Sequence, residues 1–309
     1  MDGMPATERL LHELVSAAGL AQVRSVEPMR GHGFDHEVLR ATLADTRQVV
    51  LRHRQESRPL PLGRARFLAD HDVRAPALLG GNDFATLYDY IPGEMLSAVI
   101  DTMTDARWRS VGTAFRRVHA VRFPSGLSGD FGPDSLVLRP TDPVEDLHRL
   151  LVDAESRLRP NLPFVLPHLP RVHALIDDHA ERLRQAPTAL LHGDVFLANI
   201  IVATSQTTMI DWDQTRVADP GQEIAALDER IHLTTGGELP DTFFETYGPR
   251  PDTTALHRVT NAIAWFTHGP FAGWEIDPDL DADRTLLVTG WRNSLVDYLT
   301  GLGERLKEF

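Results

Sequence analysis

Apolar residues recur three and four positions apart over residues 7–19. Leu10, Leu11, Leu14 and Val15 share one face there and Gly19 supplies the stop, which predicts a helix. The period then changes to two. Residues 37–43 and 48–54 alternate and are rich in β-branched side chains, with Asp45-Thr46 between them as the turn of a hairpin. Residues 62–70 fit a short helix, and 84–91 a further strand that breaks at Pro92-Gly93. Beyond that break the helical period dominates. Thr104 caps a helix whose apolar face is Trp108, Val111, Phe115 and Val118. After a Pro/Gly-rich passage over 123–143, helices are predicted at 144–158, 169–184, 221–235, 241–247, 253–266 and 283–306. Among them lie short apolar runs that bracket polar residues, at 190–202 and again around 210–213, and these read as strand, loop, strand.

The pattern predicts an α+β fold of two lobes. Residues 1–91 form a small, mostly antiparallel sheet lobe with a helix against it. Residues 92–309 form a larger, mostly helical lobe, reached through a hinge near 90–93.

Composition narrows the function. A chain of 309 residues is long enough for two lobes with a substantial core. No apolar run approaches the ~20 residues needed to span a membrane. Residues 1–20 lack the basic start and apolar stretch of a signal peptide, so a cytoplasmic protein without membrane contact is expected. The absence of cysteine excludes disulfides, thiolate zinc sites and cysteine catalysis. With 31 basic and 44 acidic residues the net charge is −13, a field that repels nucleic acid and favours a polycationic small molecule, although an acidic surface also serves solubility alone. Nothing indicates a partner protein. Lys307 is the only lysine, so any central role for a lysine falls to arginine.

Chemistry concentrates at His192-Gly193-Asp194, Asn199 and Asp211. An Asp able to take a hydroxyl proton, an Asn five residues on and a second Asp after one more strand suit phosphoryl transfer with bound Mg²⁺. An isolated Gly-Asp would read as a turn residue after a strand. A hydrolytic metal site on His192 and Asp194 lacks further ligands at metal spacing.

HGDVFLANIIV (192–202) and IDWDQTRVADPGQEIAAL (210–227), in a chain ordered sheet lobe, hinge, helical lobe, resemble the aminoglycoside phosphotransferase family. These are antibiotic kinases with a protein-kinase-like fold, and the resemblance covers roughly residues 23–266. It implies that Asp194 is the catalytic base, that Asn199 and Asp211 hold Mg²⁺, and that ATP or GTP is the phosphoryl donor. His192 then serves as structural support that orders the loop. Asp213 is assigned to capping the turn that follows, with metal or substrate binding as the other reading. Asp219-Pro220 matches a structural turn of the family, and Glu223 stands near where another Asp is common. Gly31 and Gly33 match the loop over the nucleotide phosphates, or a plain turn. Arg52 stands where kinases carry their phosphate-binding Lys, and the backbone of Asp89 and Ile91 would face the purine.

One departure is evident. The helix at 62–70 should offer a Glu to that cation, yet it reads LGRARFLAD, and Glu56, the nearest candidate, precedes Pro59 and Pro61. For the acceptor, the resemblance implies carboxylates that hold amines, with Asp228, Glu229, Glu275 and Asp277 as candidates. Trp265, Phe266, Phe271 and Trp274 either flank a substrate ring or belong to the core. The expected activity is transfer of the γ-phosphoryl group to a hydroxyl of a cationic antibiotic, of aminoglycoside or basic peptide type. The alternatives are a macrolide kinase, a metabolic kinase for choline, homoserine or a thio-sugar, and a weakly catalytic nucleotide- or antibiotic-binding protein.

Overall fold

The computed structural model describes residues 5–29, 36–132, 135–204, 206–267, 274–276, 280, 282–307 and 309. Its first layer is a five-stranded antiparallel sheet of order β1-β2-β3-β5-β4, from β1 (Val23–Pro28), β2 (His36–Leu43), β3 (Gln48–Arg54), β4 (Leu78–Asn82) and β5 (Ala85–Asp89). The period of two decides what each face meets. Val49 and Leu51 pack with Leu11, Leu14 and Val15 of α1 (Ala6–Ala17), whereas Val50 and Arg52 line a cleft that α2 (Leu62–Asp70) also borders.

After Pro92 come β6 (Glu94–Met95), α3 (Leu96–Val99) and α4 (Asp105–His119), which Thr104 caps by accepting the N–H of Arg107. Two small sheets follow. One has the order β7-β10-β13-β8-β9, from β7 (Arg122–Phe123), β8 (Leu127–Phe131), β9 (Leu136–Pro140), β10 (Thr188–Leu191) and β13 (Arg216–Ala218). The other joins β11 (Ile200–Val202) and β12 (Thr207–Met209) to β6, so the segment just past the hinge pairs with the strand that leaves the polar loop. Helices α5 (Pro143–Leu158), α6 (Leu169–Asp178), α7 (Ala180–Gln185), α8 (Pro220–Thr235), α9 (Asp241–Tyr247), α10 (Thr254–Thr267), α11 (Ala282–Thr300) and α12 (Leu302–Arg305) complete the chain.

Three apolar clusters hold these parts. One lies between α1 and the first sheet; a second, around Phe115, Trp212 and Phe243, lies beneath the polar loop; a third, around Leu151, Val172 and Ile263, joins the later helices. Two details go beyond the sequence reading. The Pro/Gly-rich passage over 123–143 contains the β8–β9 hairpin, where Gly129 lets the carbonyl of Val137 approach to 2.5 Å of where a Cβ would stand. The helix expected over 169–184 is two, interrupted at His179. No helix among the described residues is long and apolar enough to cross a membrane.

Candidate active site

The buried strand β10 delivers His192 to the start of a tight loop. Gly193 follows with φ +84°, and a Cβ there would overlap the carbonyl of Gln214, so only glycine fits. His192 stacks edge-on against Trp212 and spends both ring nitrogens inside the loop. Nε2 donates to the carbonyl of Ile210 (2.8 Å), and Nδ1 accepts the N–H of Asp194 (3.3 Å), which fixes the tautomer and leaves no nitrogen for a reacting group.

Asp194 stands at the loop tip, half-buried. Burial raises its pKa and the charge of Asp211 adds to the rise, against the opposing pull of His192, Arg230 and Asn199. Asn199 Nδ2 donates both to the Asp194 backbone carbonyl and to its carboxylate (3.1 Å each). That use of the amide nitrogen turns Asn199 Oδ1 the other way, as an oxygen donor.

The β11–β12 hairpin returns the chain to Asp211, which adopts a left-handed conformation (φ 64°). Arg52 holds its carboxylate through both nitrogens of the fork, Nη1 to Oδ1 at 3.0 Å and Nη2 to Oδ2 at 3.1 Å. Arg52 also lies 3.5 Å from Asp213, and Arg64 of α2 bonds the other oxygen of Asp213. Burial alone would raise the pKa of Asp213, but Arg52, Arg64 and Arg54 together hold it below the usual range. Asp213 is thus no cap: it faces arginines. The helix position that lacked a Glu is answered with reversed sign, a cation on α2 and the acid on the loop after β12. Arg64 is the residue that sequence reasoning missed; LGRARFLAD displayed it, but its partner lies 149 residues away.

A second buried acid supports the loop from beneath. Glu223, on α8, accepts the N–H groups of Gly193 (2.7 Å) and His192 (3.2 Å) and the Nε2–H of His119 (2.9 Å), while His119 Nδ1 meets the Tyr247 hydroxyl. Burial disfavours its charge, yet these donors and the nearby histidines hold its pKa down. Asp219 caps α8 at Gly221 N (2.7 Å) and bonds His257 (2.9 Å).

Arg52, Arg64, Asn199 and Asp211 border one cavity of about 950 Å³, together with Asp89 and Ile91 of the hinge. Asp89 gives its carboxylate to Arg47 (2.7 Å) and its N–H to the carbonyl of Ala77 (3.0 Å). Gly31, Gly33 and Asp277 lie outside the described residues. No group of three or more His, Cys, Asp or Glu at metal-binding spacing occurs among the described residues. Asn199 Oδ1 and the Asp211 carboxylate are nevertheless hard oxygen donors, suited to an ion that takes its other ligands from phosphates and water.

The acceptor candidates fare differently. Asp228 is buried, accepts the N–H of Leu239 (2.8 Å) and lies 3.6 Å from Arg250. Glu229 is 1% exposed and bonds Arg258 (2.6 Å) and the Trp265 indole N–H (2.7 Å). Both carboxylates are spent inside the protein, which corrects the expectation that they hold substrate amines. Glu275 is exposed. Between them in sequence, Arg230 projects from α8 towards the loop, flanked by Phe196 and Trp265.

Residues 29–259 match the sequence profile of the phosphotransferase enzyme family. No curated protein sequence matches the chain. Among solved structures, a choline/ethanolamine kinase family protein from Mesorhizobium loti superposes with a TM-score of 0.65 at 18% identity, over 97% of this chain and 98% of that one. The streptomycin–ATP–APH(2″)-IIa ternary complex gives 0.61 at 15%, over 98% and 99%. Macrolide 2′-phosphotransferase MphH from Brachybacterium faecium gives 0.60 at 18%, over 93% and 98%. These likenesses make the fold protein-kinase-like.

Proposed function

The chain belongs to the phosphotransferase enzyme family, and from that premise we propose that it transfers the γ-phosphoryl group of ATP or GTP to the hydroxyl of a small molecule. One observation carries the reading: Asn199 and Asp211 border the cleft that Arg52 and Arg64 also line, and Asn199 ties the Asp194 carboxylate to its edge. Asp194 takes the acceptor proton as the hydroxyl oxygen bonds the γ-phosphorus. The bond from that phosphorus to the β,γ-bridging oxygen breaks, and the nucleoside diphosphate leaves with the electron pair. Arg52 and Arg64 bind the phosphates in place of a lysine, and the guanidinium fork suits them. Asn199 and Asp211 would hold Mg²⁺, which would neutralise charge on the phosphates when bound. Glu223 and His192 keep Asp194 in position.

The acceptor is a small alcohol. An antibiotic is the first class to try, because streptomycin and a macrolide figure among the ligands and activities named for its structural neighbours, with choline- and ethanolamine-type alcohols alongside. Of the carboxylates expected to hold amines, Asp228 and Glu229 are engaged inside the protein and Glu275 is exposed.

The test is incubation with Mg-ATP or Mg-GTP and a panel of antibiotics and small alcohols, read by mass spectrometry for addition of one phosphoryl group. Asp194→Ala should lower kcat by roughly a thousandfold while nucleotide affinity stays within a fewfold. Undiminished transfer in that variant would overturn the assignment of the base.

A further inference from the structure

Resting on the kinase reading above, we infer that Arg230 is the anchor of the acceptor, and that the alcohol phosphorylated by this protein carries a carboxylate near its reacting hydroxyl. Arg230 projects from α8 into a box of aromatic rings. Its guanidinium carbon lies 4.3 Å from the ring centre of Phe196, two residues past Asp194, and 3.9 Å from that of Trp265. Trp291 closes the box, 5.5 Å from Phe196 and 6.4 Å from Trp265. Phe196 and Trp291 are both partly accessible, and Phe196 belongs to the loop that carries Asp194.

Rings over a guanidinium stabilise its charge through its faces. They do nothing for the N–H groups, which lie in its plane. Nε and Nη1 of Arg230 are buried and donate to no acceptor. The nearest carboxylate oxygen, Glu229 Oε2, is 3.9 Å from Nη1 and already accepts the indole N–H of Trp265, while Arg258 occupies Oε1. Arg258 holds Glu229 more closely, so Arg230 has that carboxylate and Asp194 as anionic neighbours while its Nε and Nη1 make no hydrogen bond. Burial pushes the Arg230 guanidinium down to about 10, so it stays charged at neutral pH. Its charge reaches Asp194, where it favours the ionised form a base requires.

A guanidinium edge pairs bidentately with carboxylate or phosphate, and one such cation matches the single charge of a carboxylate, with phosphate esters as the competing class that the experiment separates. A carboxylate bound there lies beside the loop that carries the base, close to the hydroxyl being phosphorylated. This is the opposite of a site built for polyamines, and it agrees with the internal use of Asp228 and Glu229.

The experiment compares matched acceptors (hydroxy acids, their amides, their phosphate-ester counterparts and the corresponding amino alcohols) with the wild type, Arg230→Gln and Arg230→Lys. Phosphoryl transfer is read by mass spectrometry, and binding of the acids is read in parallel from the fluorescence of Trp265 and Trp291. The expected result is preferred transfer to the acids. Arg230→Gln should raise their KM by roughly 10- to 100-fold, with a smaller change in kcat and partial recovery in Arg230→Lys. Equal turnover of acids, amides and amines, preference for phosphate esters, or an unchanged KM for acids in Arg230→Gln overturns the inference while leaving the kinase reading intact. Saturable, Arg230-dependent quenching by acids without transfer to any compound supports the anion site and counts against the kinase. The urea midpoint of each variant shows that it is folded, and acid binding retained by a folded Arg230→Gln also overturns the inference.

Discussion

Replacing Glu223 tests whether the catalytic loop is held from beneath by a buried charge. The carboxylate is 2% exposed and receives three hydrogen bonds, from Gly193 N, His192 N and His119 Nε2. Removing one partner of such a buried charged cluster is destabilising by about 3–5 kcal/mol, because the abandoned donors stay buried. Glu223→Ala should therefore lose about that much. Glu223→Gln keeps one acceptor oxygen but turns an NH₂ towards a donor, so a loss of about 2 kcal/mol is expected. With a urea slope of about 2–3 kcal/mol per molar, the midpoint falls by roughly 1–2 M for Ala and by less than 1 M for Gln. Turnover should fall roughly 10- to 100-fold in Glu223→Gln, since the two loop N–H groups set the position of Asp194.

The pH dependence has a definite sign. The folded-state pKa of Glu223 lies below its unfolded value of 4.5, so its contribution is complete above that value and fades as pH falls through the lower folded one. The stability gap between wild type and Glu223→Gln should be constant near neutrality and close on acidification below about 4.5. An unchanged urea midpoint in Glu223→Ala at pH 7, or a gap that widens in acid, would refute the reasoning.

Two further outcomes follow from the same loop and cleft. Gly193→Ala forces a Cβ into the Gln214 carbonyl at φ +84°, so it should destabilise by roughly 3 kcal/mol or more and abolish transfer; a near-normal melting curve with retained activity would refute the steric account. Arg64→Ala should raise the KM for nucleotide about tenfold and leave the acceptor KM within twofold in steady-state kinetics, and the reverse pattern would remove Arg64 from the phosphate site.

Much of this was legible in the chain because it is written locally. The Thr104 cap, the hairpin across Asp45-Thr46 and the helices after 220 follow from period and punctuation within a dozen residues. His192, Asp194 and Asn199 share one loop, so their spacing alone suggested their company. What was hidden depends on distance in sequence or on brevity. Strands of two to five residues, such as β7 and β13, are too short to show a period, and a sheet that joins Phe123 to Thr188 has no local signature. Asp228 and Glu229 looked like surface acids, since only the fold brings Arg258, Trp265 and Leu239 to meet them. The Arg64–Asp213 pair was invisible for the same reason.

The bidentate grip of Arg52 on Asp211 has a thermodynamic consequence. The groups suited to a cation and those suited to polyphosphate are neutralised by one another across the cleft, with Arg64 and Asp213 repeating the arrangement beside them. On the proposed reading, phosphate drawn to the arginines would release the carboxylates, and a divalent ion drawn to the carboxylates would release the arginines. Each ligand thus strengthens the other's site, and by reciprocity of linkage the two couplings are equal in free energy. Metal and nucleotide should then bind as a cooperative pair, through a plain exchange of counter-ions that needs no large movement of the fold.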